Sequence, residues 1–466
     1  MPGTRRGRPR YQWPTLLSIL VGLLAAVSGA CRGEEAGYDN LVLVTIDTQR
    51  ADRLGLYGYP RPTSPFLDRL GREGIVFWHA VAASSHTGPS HASLLTSLYP
   101  EQHQLLVNGQ ELPAAVPSLA ELARQRGLET AAFVSVRFLA GLGRGFEAFD
   151  SDVPPRQVFR TAAGTVDRAA AWLRGRDRGR RFVLWVHVYD PHEHSPRTAL
   201  PEPHYSRMEA DGARRGKELL YFLQQEQGYP KDEVDGNIHR YDSQVAYVDE
   251  QLQRLFAVLD ETASRERTLR VVTADHGEGL GNHGVEGHGR HLYQEQIRVP
   301  LVVHGDPERH PPTTVRGLVR HVDLLPTVAE LLRLPLDRPK LRLEGRSLVP
   351  MLSNPSAEVG IDAAFSQRRP PDERRREVGW EAGTMISAQD ARFKYIWSSE
   401  GPHEFYDLGR DPYELRNLVD EPVTQKERLR DWLLSKYRAL CRDRRAAPAG
   451  EVDPRLLEDL KALGYL

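Results

Sequence analysis

The chain has almost no cysteine, since only Cys31 and Cys441 occur among its 466 residues. Two cysteines cannot form a disulfide framework, and they are too few for a zinc site built from cysteine thiolates. The chain also lacks an excess of either charge, because 62 Lys and Arg balance 63 Asp and Glu. A chain without net positive charge has no general attraction for nucleic acid, so we expect no nucleic-acid partner.

A long hydrophobic run is missing as well. The apolar stretch 16–27 is too short to indicate a membrane-spanning helix, but it follows an arginine-rich start and precedes Ser28-Gly29-Ala30-Cys31. This pattern is typical of an export signal, and the small residues before Cys31 resemble a bacterial lipoprotein cleavage site. We therefore expect residues 1–31 to be a signal segment and Cys31 to carry a lipid.

The expected location is thus the bacterial cell envelope or periplasm. Soluble export and a retained signal anchor are the alternatives to lipidation. In each case, any contact with a membrane would be made only through the N-terminal lipid or signal anchor.

Three apolar runs end in residues that can bind a metal. The runs 40–46, 182–188 and 269–274 are rich in β-branched residues, which is typical of buried parallel strands. The residues that follow them are Asp47, Asp190, Asp275 and His276. Because ligands of open α/β sheets bind outside the carboxyl ends of strands, we expect these side chains to form one site.

Helical patterns alternate with these strands, at 118–126, 158–173, 241–259 and 322–332. The alternation predicts an α/β fold with a doubly wound, mostly parallel sheet and helices on both faces. The polar stretch 201–235 is interpreted as an insertion or lid beside the site, with a solvated loop as the alternative.

The pattern changes near the end of the chain. Shorter strand signals at 384–387 and 392–397 predict a small antiparallel C-terminal subdomain, and 456–466 is interpreted as an amphipathic helix. The predicted organisation is a signal segment at 1–31, a catalytic domain at 38–350, and a C-terminal subdomain with a terminal helix at 351–466.

The segment Thr87-Gly88-Pro89-Ser90-His91 places a hydroxyl at the start of a predicted helix. Pro89 suits the first helical position, and the free N–H groups of a helix N-terminus attract a negative group. The segment therefore predicts that Thr87 lies beside a bound anion.

The same segment, continuing into Leu94-Leu95-Thr96-Ser97, resembles the sulfatase signature. In that signature a Cys or Ser, which is oxidised to formylglycine, is followed by x-Pro-Ser-Arg and a Leu-Leu-Thr-Gly helix. Thr87 stands at the position of the Cys or Ser, and His91 stands at that of the Arg.

Asp275-His276-Gly277 after an apolar strand, and Val299-Pro300-Leu301-Val302 beyond it, extend the resemblance. They make the chain similar to the alkaline phosphatase superfamily along nearly its whole mature length. The resemblance implies an alkaline-phosphatase-like fold. It also implies a hydrolase or transferase that acts on phosphate, phosphonate or sulfate esters.

Asp47, Asp275 and His276 supply two carboxylates and an imidazole, which suit a divalent cation such as Mn²⁺, Zn²⁺ or Mg²⁺. Ca²⁺ is less favoured, because Thr48 stands where sulfatases carry a second acidic residue. Thr87 would be the fourth ligand. Metal coordination lowers the pKa of a hydroxyl, so that it can act as a nucleophile at neutral pH.

Two arrangements are open for the other side of the site. In the first, which we favour, one metal is present and His192 and His288 bind the leaving group and protonate it. In the second, Asp190, His194 and His288 bind a second metal about 3.5–4 Å from the first. His91 is expected to contact the substrate anion in place of the signature's Arg.

The chemistry of Thr87 separates phosphate from sulfate. Formylglycine hydrate releases sulfate by collapsing to an aldehyde, whereas a threonine ester has no second hydroxyl and must be cleared by attack at phosphorus or sulfur. We therefore expect a phosphoesterase, or a transferase of a phosphoryl-linked group, with a covalent Thr87 intermediate.

The expected substrate is an anionic ester in an envelope lipid, a glycan or a small phosphoester. Sulfate-ester hydrolysis is one alternative function. A catalytically degenerate protein that binds an anionic glycan is the other.

Overall fold

The computed structural model describes residues 37–195, 198–337, 341–368 and 383–445, together with Gly3 and Leu460. The predicted signal segment, Cys31 and the terminal helix at 456–466 thus lie outside the described residues, except for Gly3 and Leu460. From Tyr38 onward the chain forms one compact unit. Among the described residues, no helix is both long enough and apolar enough to cross a membrane.

In the described part of the chain, eight strands form the central sheet, in the order β10-β2-β9-β6-β1-β5-β3-β4. Only β9 runs opposite to its neighbours, so the mostly parallel sheet predicted from the sequence is confirmed. The strands of this sheet are β1 (Asn40–Ile46), β2 (Ile75–Val81), β3 (Glu129–Val134), β4 (Ala148–Asp150), β5 (Phe182–Val188), β6 (Thr268–Ala274), β9 (Arg298–His304) and β10 (Thr313–Arg320). Between β6 and β9 lies a short hairpin of β7 (Gly279–Leu280) and β8 (Glu286–Gly287).

The middle strand β1 is buried along its whole length because both faces of the sheet are covered. Leu41 and Leu43 belong to one apolar cluster, and Val42 and Val44 belong to the other. This arrangement explains why the strand is an unbroken apolar run rather than an alternating one. In register, Ile46 pairs with both Ala274 of β6 and Val188 of β5, so the residues after these strands leave the sheet at the same level.

Each of the four helical patterns predicted from the sequence corresponds to a helix of the structure, and further helices are present among the described residues. The helices are α1 (Pro65–Arg72), α2 (Thr87–Thr96), α3 (Pro100–His103), α4 (Leu119–Gln125), α5 (Ala162–Gly175), α6 (His204–Gln227), α7 (Gly236–Thr262), α8 (Gln294–Ile297), α9 (Leu324–Leu331), α10 (Val349–Ser353) and α11 (Thr424–Arg442).

The alternative interpretation of the stretch 201–235 as a solvated loop is wrong, whereas its role as an insertion or lid stays a prediction. Most of it is the long helix α6, which packs against α7. Its apolar stripe is sparse, but Met208, Leu219 and Leu223 are buried. A few well-covered apolar residues are enough to hold a polar helix when a longer neighbouring helix covers them.

The predicted antiparallel C-terminal sheet is also present. It contains, in order, β11 (Ala364–Gln367), β12 (Met385–Gln389), β13 (Phe393–Ser398) and β14 (Glu404–Asp407). Helix α11 packs against β12 and β13, with Leu429, Leu433 and Leu440 buried. The domain boundary at residue 350 stays a prediction, because residues 38–466 divide no further into compact units.

Candidate active site

Asp47, Asp275 and His276 come together where β1 and β6 end. Their ligand atoms all lie within 4.8 Å of one another, and all three residues are fully buried. Burial and the nearby charge of Asp275 raise the pKa of Asp47 well above its usual range. Two buried carboxylates at this distance are costly unless a cation lies between them, and this donor set fits a divalent metal.

The hydrogen bonds around these carboxylates also fit a metal. One oxygen of each is held by the protein: Asp47 Oδ2 lies 3.1 Å from His187 Nε2, and Asp275 Oδ1 accepts from the backbone N–H groups of Thr48 and His276. The other oxygens, Asp47 Oδ1 and Asp275 Oδ2, are buried and accept no hydrogen bond from the described residues. Each carboxylate thus has one oriented oxygen and one oxygen left for a cation.

Thr48 and His187 belong to this support. Thr48 has a φ of 53°, an uncommon value for a residue with a branched side chain. His187 is fully buried on the apolar strand β5, and its hydrogen-bond partner is the carboxylate of Asp47. Both residues therefore hold the predicted metal ligands in place.

Thr87 opens helix α2 beside this cluster. Its Oγ1 lies 3.3 Å from His276 Nε2, and the preceding residue, His86, is the N-cap. Pro89 is the third residue of the helix rather than the first, because the helix begins at Thr87 itself. The hydroxyl therefore lies at the positive end of the helix, as the sequence predicts.

The tautomer of His276 follows from its surroundings. Its Nδ1 lies 2.9 Å from the carbonyl oxygen of Gly277, which can only accept, so the ring proton is on Nδ1. Burial lowers the pKa of His276 to about 4, which keeps the ring neutral. The lone pair on Nε2 therefore faces the metal cluster and Thr87 Oγ1.

Asn108 is a site residue that the sequence analysis did not identify. Its Oδ1 accepts a hydrogen bond of 2.7 Å from the backbone N–H of Gly88, in the first turn of α2. The side chain is buried, and its Nδ2 has no acceptor among the described residues. An amide donor is thus available next to the predicted nucleophile, although a lone Asn in a loop has no sequence pattern that would reveal it.

His192 and His288 lie together on the other side of His276. The ring centroids of His276 and His288 are 4.4 Å apart, and those of His192 and His288 are 4.9 Å apart. His288 Nδ1 lies 3.2 Å from Glu278 Oε2, and His192 Nδ1 lies 3.1 Å from Glu193 Oε1. The structure therefore forms two carboxylate–imidazole pairs beside the predicted nucleophile.

The two glutamates of these pairs were not identified from the sequence. Burial raises the pKa of Glu278, but the charge and the hydrogen bond of His288 outweigh it and lower the pKa to about 2. Burial likewise opposes ionisation of Glu193, yet the hydrogen bond from His192 lowers its pKa. Each carboxylate orients its imidazole through this hydrogen bond, an arrangement that suits a general acid or base.

Asp190 and His194 have other partners. Asp190 Oδ2 accepts a hydrogen bond of 2.8 Å from Ala162 N at the start of α5, and burial raises the pKa of Asp190 to about 7. His194 Nδ1 lies 3.1 Å from the carbonyl oxygen of Pro191. Within the described residues, these two do not form a metal-binding group with His288. The second metal stays a prediction.

His91 is fully buried, and both ring nitrogens lie against protein atoms. Nδ1 is 2.9 Å from the carbonyl oxygen of Thr87, and Nε2 is 3.0 Å from Thr45 Oγ1. In this orientation His91 supports the first turn of α2. Its predicted contact with the substrate would require a different rotamer and stays a prediction.

The mostly parallel sheet, the buried Asp-Asp-His cluster and the hydroxyl at a helix start define an alkaline-phosphatase-like ester hydrolase. The sulfatase family model matches residues 39–334, and the model of the C-terminal region of N-sulphoglucosamine sulphohydrolase matches residues 281–439. The chain belongs to the sulfatase family, whose enzymes use a divalent metal.

Several characterised proteins are similar to this chain over most of their length. The multifunctional alkaline phosphatase superfamily protein PehA of Trinickia caryophylli is 26% identical, over 88% of this chain and 98% of the relative. The Delta 4,5-hexuronate-2-O-sulfatase of Bacteroides thetaiotaomicron is 24% identical, over 90% of this chain and 91% of the relative.

A solved structure shows the same fold. The phosphonate monoester hydrolase of Agrobacterium radiobacter superposes with a TM-score of 0.68 at 23% identity, over 86% of this chain and 95% of that chain. The similar proteins thus include enzymes named for sulfate esters and for phosphonate esters. They make this chain an ester hydrolase and do not decide between the two ester classes.

Proposed function

We propose that the protein is a metal-dependent phosphoric ester hydrolase that forms a covalent phospho-Thr87 intermediate. One observation carries the proposal: Thr87 Oγ1 lies at the start of α2, 3.3 Å from His276 Nε2, beside the buried cluster of Asp47, Asp275 and His276. A hydroxyl in this position can attack an anionic ester whose oxygens face the helix N-terminus.

Phosphate is favoured over sulfate by the side chain of Thr87. Its Cβ carries a single hydroxyl, so a sulfate ester on it has no route through an aldehyde and would persist unless water attacked sulfur. A phosphate ester on the same oxygen can be cleared by attack of water at phosphorus. The likeness to a phosphonate monoester hydrolase is consistent with this choice.

Asp47, Asp275 and His276 would hold the divalent cation, which when bound lowers the pKa of the Thr87 hydroxyl and neutralises charge on the phosphoryl group. In the first half-reaction, the Thr87 hydroxyl gives up its proton to solvent water and Oγ1 forms a bond to phosphorus, while the bond from phosphorus to the leaving oxygen breaks. Asn108 Nδ2, which has no acceptor among the described residues, donates to a non-bridging oxygen, and the positive end of α2 faces the negative charge of the phosphoryl group.

His288 and His192 act on the leaving oxygen. Their Nδ1 atoms face glutamates, so Nε2 of the protonated ring is the atom that can donate a proton to the departing alcohol. In the second half-reaction the same imidazole accepts a proton from water as the water attacks phosphorus. The bond from phosphorus to Thr87 Oγ1 then breaks, and the oxygen regains a proton from solvent water. An alcohol in place of water would give transfer instead of hydrolysis.

The test compares phosphate and sulfate esters of one leaving group. We expect metal-loaded protein to hydrolyse 4-nitrophenyl phosphate or bis(4-nitrophenyl) phosphate at least about 100-fold faster, in kcat/KM, than 4-nitrophenyl sulfate. A preference for the sulfate ester would contradict the proposal and support sulfatase activity, which the family match also favours. Binding of metal with no turnover of any ester would support a degenerate binding protein.

We also propose that the enzyme acts in the bacterial cell envelope on an anionic lipid, glycan or small phosphoester, and that Cys31 anchors it. The support is the export-like start of the sequence. Substitution of Cys31→Ser should release the protein from the membrane fraction or leave an uncleaved precursor. A mature N-terminus at another residue, seen by mass spectrometry, would contradict the lipid anchor.

A further inference from the structure

His283 lies outside the metal cluster, at the tip of the β7–β8 hairpin, and it is held as a cation. Its Nδ1 lies 2.8 Å from Glu295 Oε1, and its Nε2 lies 3.1 Å from the backbone carbonyl oxygen of Glu414. Both partners can only accept, so both ring nitrogens must carry protons. The ring also stacks on Tyr293, with centroids 3.8 Å apart.

The electrostatics of His283 agree with this geometry. Burial alone lowers its pKa, but the hydrogen bond and the charge of Glu295 outweigh burial and raise the pKa to about 9. The backbone of His283 and of its partner Glu414 also has an uncommon conformation. His283 and Glu414 have φ values of 53° and 58°, which non-glycine residues adopt only where the surroundings impose them.

On its far side, His283 is joined to the C-terminal sheet. Glu414 Oε1 pairs with Lys394 Nζ of β13 at 2.7 Å, and both side chains are fully buried. Glu414 Oε2 accepts a hydrogen bond of 2.6 Å from Gln294 N, and Gln294 Nε2 donates to Gln389 Oε1 of β12 at 2.6 Å. A buried chain of alternating charges thus runs through Lys394, Glu414, His283 and Glu295.

At its Glu295 end, the chain of charges reaches the active site. The backbone of Glu295 packs so closely against Gly277 that a Cβ there would lie 2.0 Å from Glu295 O, and Gly277 N donates to Gln296 O at 2.9 Å. Gly277 follows His276 directly, and its carbonyl oxygen accepts a hydrogen bond from His276 Nδ1. The hairpin that His283 closes begins beside Glu278 and ends beside His288.

We propose that His283 is a positioning residue, which ties this hairpin to the C-terminal sheet and thereby keeps the Glu278–His288 pair in place beside Thr87. Arg50 holds the same hairpin from the central sheet, through hydrogen bonds to Glu278 O and Asn282 Oδ1. The hairpin is therefore clamped from two sides. The effect on proton donation to the leaving group rests on the function proposed above, whereas the anchoring of the hairpin does not.

The first test measures anchoring without any substrate. In the full chain with metal bound, His283→Gln should increase amide hydrogen exchange in the hairpin 277–288 and leave β1 and β6 unchanged. The matched control is His403→Gln, because His403 also bonds through both ring nitrogens, to Tyr395 Oη and Ser398 O, but within the C-terminal sheet. Equal exchange of the hairpin in wild type and His283→Gln would overturn the proposal.

A second variant keeps the test possible if the single variant does not fold. His283→Gln leaves Glu295 as a buried charge without its cationic partner, whereas the double variant His283→Gln with Glu295→Gln is neutral and can still form a side-chain hydrogen bond. If the single variant does not fold, the double variant should show the same increase in hairpin exchange. Wild-type exchange in the folded double variant would overturn the anchoring.

The third measurement tests positioning of the proton donor. Relative to wild type, His283→Gln should lose about tenfold or more in kcat/KM for a phenyl ester, which needs a proton on its leaving group, and less than about threefold for a 2,4-dinitrophenyl ester. His403→Gln should lose the two activities equally. A loosened hairpin with equal losses in His283→Gln would overturn the positioning role. If wild type hydrolyses no phosphoester, the proposed function fails, and anchoring is decided by hydrogen exchange alone.

Discussion

Replacement of Thr87 by alanine should abolish turnover and leave the fold intact. The change removes the one hydroxyl that lies 3.3 Å from His276 Nε2, while the metal ligands and the helix start remain. Loss of a catalytic nucleophile typically lowers the rate by about 10⁴- to 10⁶-fold, which corresponds to about 5–8 kcal/mol of transition-state stabilisation. Alanine is a good helix former, so the free energy of unfolding should change by only about 1–2 kcal/mol.

The matched control is Thr96→Ala at the other end of the same helix. Thr96 is also buried, and its Oγ1 donates to Ala92 O at 2.6 Å. This variant should lose about 1 kcal/mol of stability and keep its activity within about twofold. The assay is hydrolysis of an activated aryl phosphate ester by metal-loaded protein, with thermal unfolding of each variant. A folded Thr87→Ala protein that keeps more than about 1% of the wild-type rate would refute the nucleophilic role.

The other predictions concern the metal, the leaving group and pH. Asp275→Asn and His276→Ala should each weaken metal binding by orders of magnitude, and unchanged metal content after dialysis would refute the ligand assignment. His192→Ala and His288→Ala should keep the metal and slow substrates with poor leaving groups most; loss of one of two metal equivalents would instead indicate a second metal. Asp190 has a folded pKa of about 7 against 3.8 for an ordinary Asp, so its contribution to stability is present below pH 4 and lost as pH rises through 7. Asp190→Asn should therefore be more stable relative to wild type at pH 8 than at pH 4, by at most about 4 kcal/mol, and an equal difference at both pH values would contradict this.

The parts of the fold that could be predicted from the sequence have local signals. An unbroken β-branched run followed by Asp47 or by Asp275-His276 marks a buried strand and the site at its end, because the covered sheet leaves polar residues only where strands stop. The long helix α6 was missed for the opposite reason. Its buried residues are widely spaced, and what holds them is the tertiary contact with α7.

The residues missed in the site depend on tertiary contacts. Glu278 and Glu193 become significant only because His288 and His192 lie 3.2 Å and 3.1 Å away. Asn108 lies in a loop 20 residues further along the chain than Gly88, and the fold brings it to the predicted nucleophile. Neither spacing nor composition contains these contacts, since they depend on how the loops pack over the carboxyl ends of the strands.

The central claim is that Thr87 forms a covalent bond to phosphorus during turnover. The most direct measurement is rapid quenching of metal-loaded protein with an activated aryl phosphate ester, followed by peptide mass spectrometry. We expect a phosphoryl adduct on Thr87 within the first turnover. The active control Thr96→Ala should form the same adduct. A burst of product without an adduct on Thr87, or an adduct on a different residue, would contradict the account.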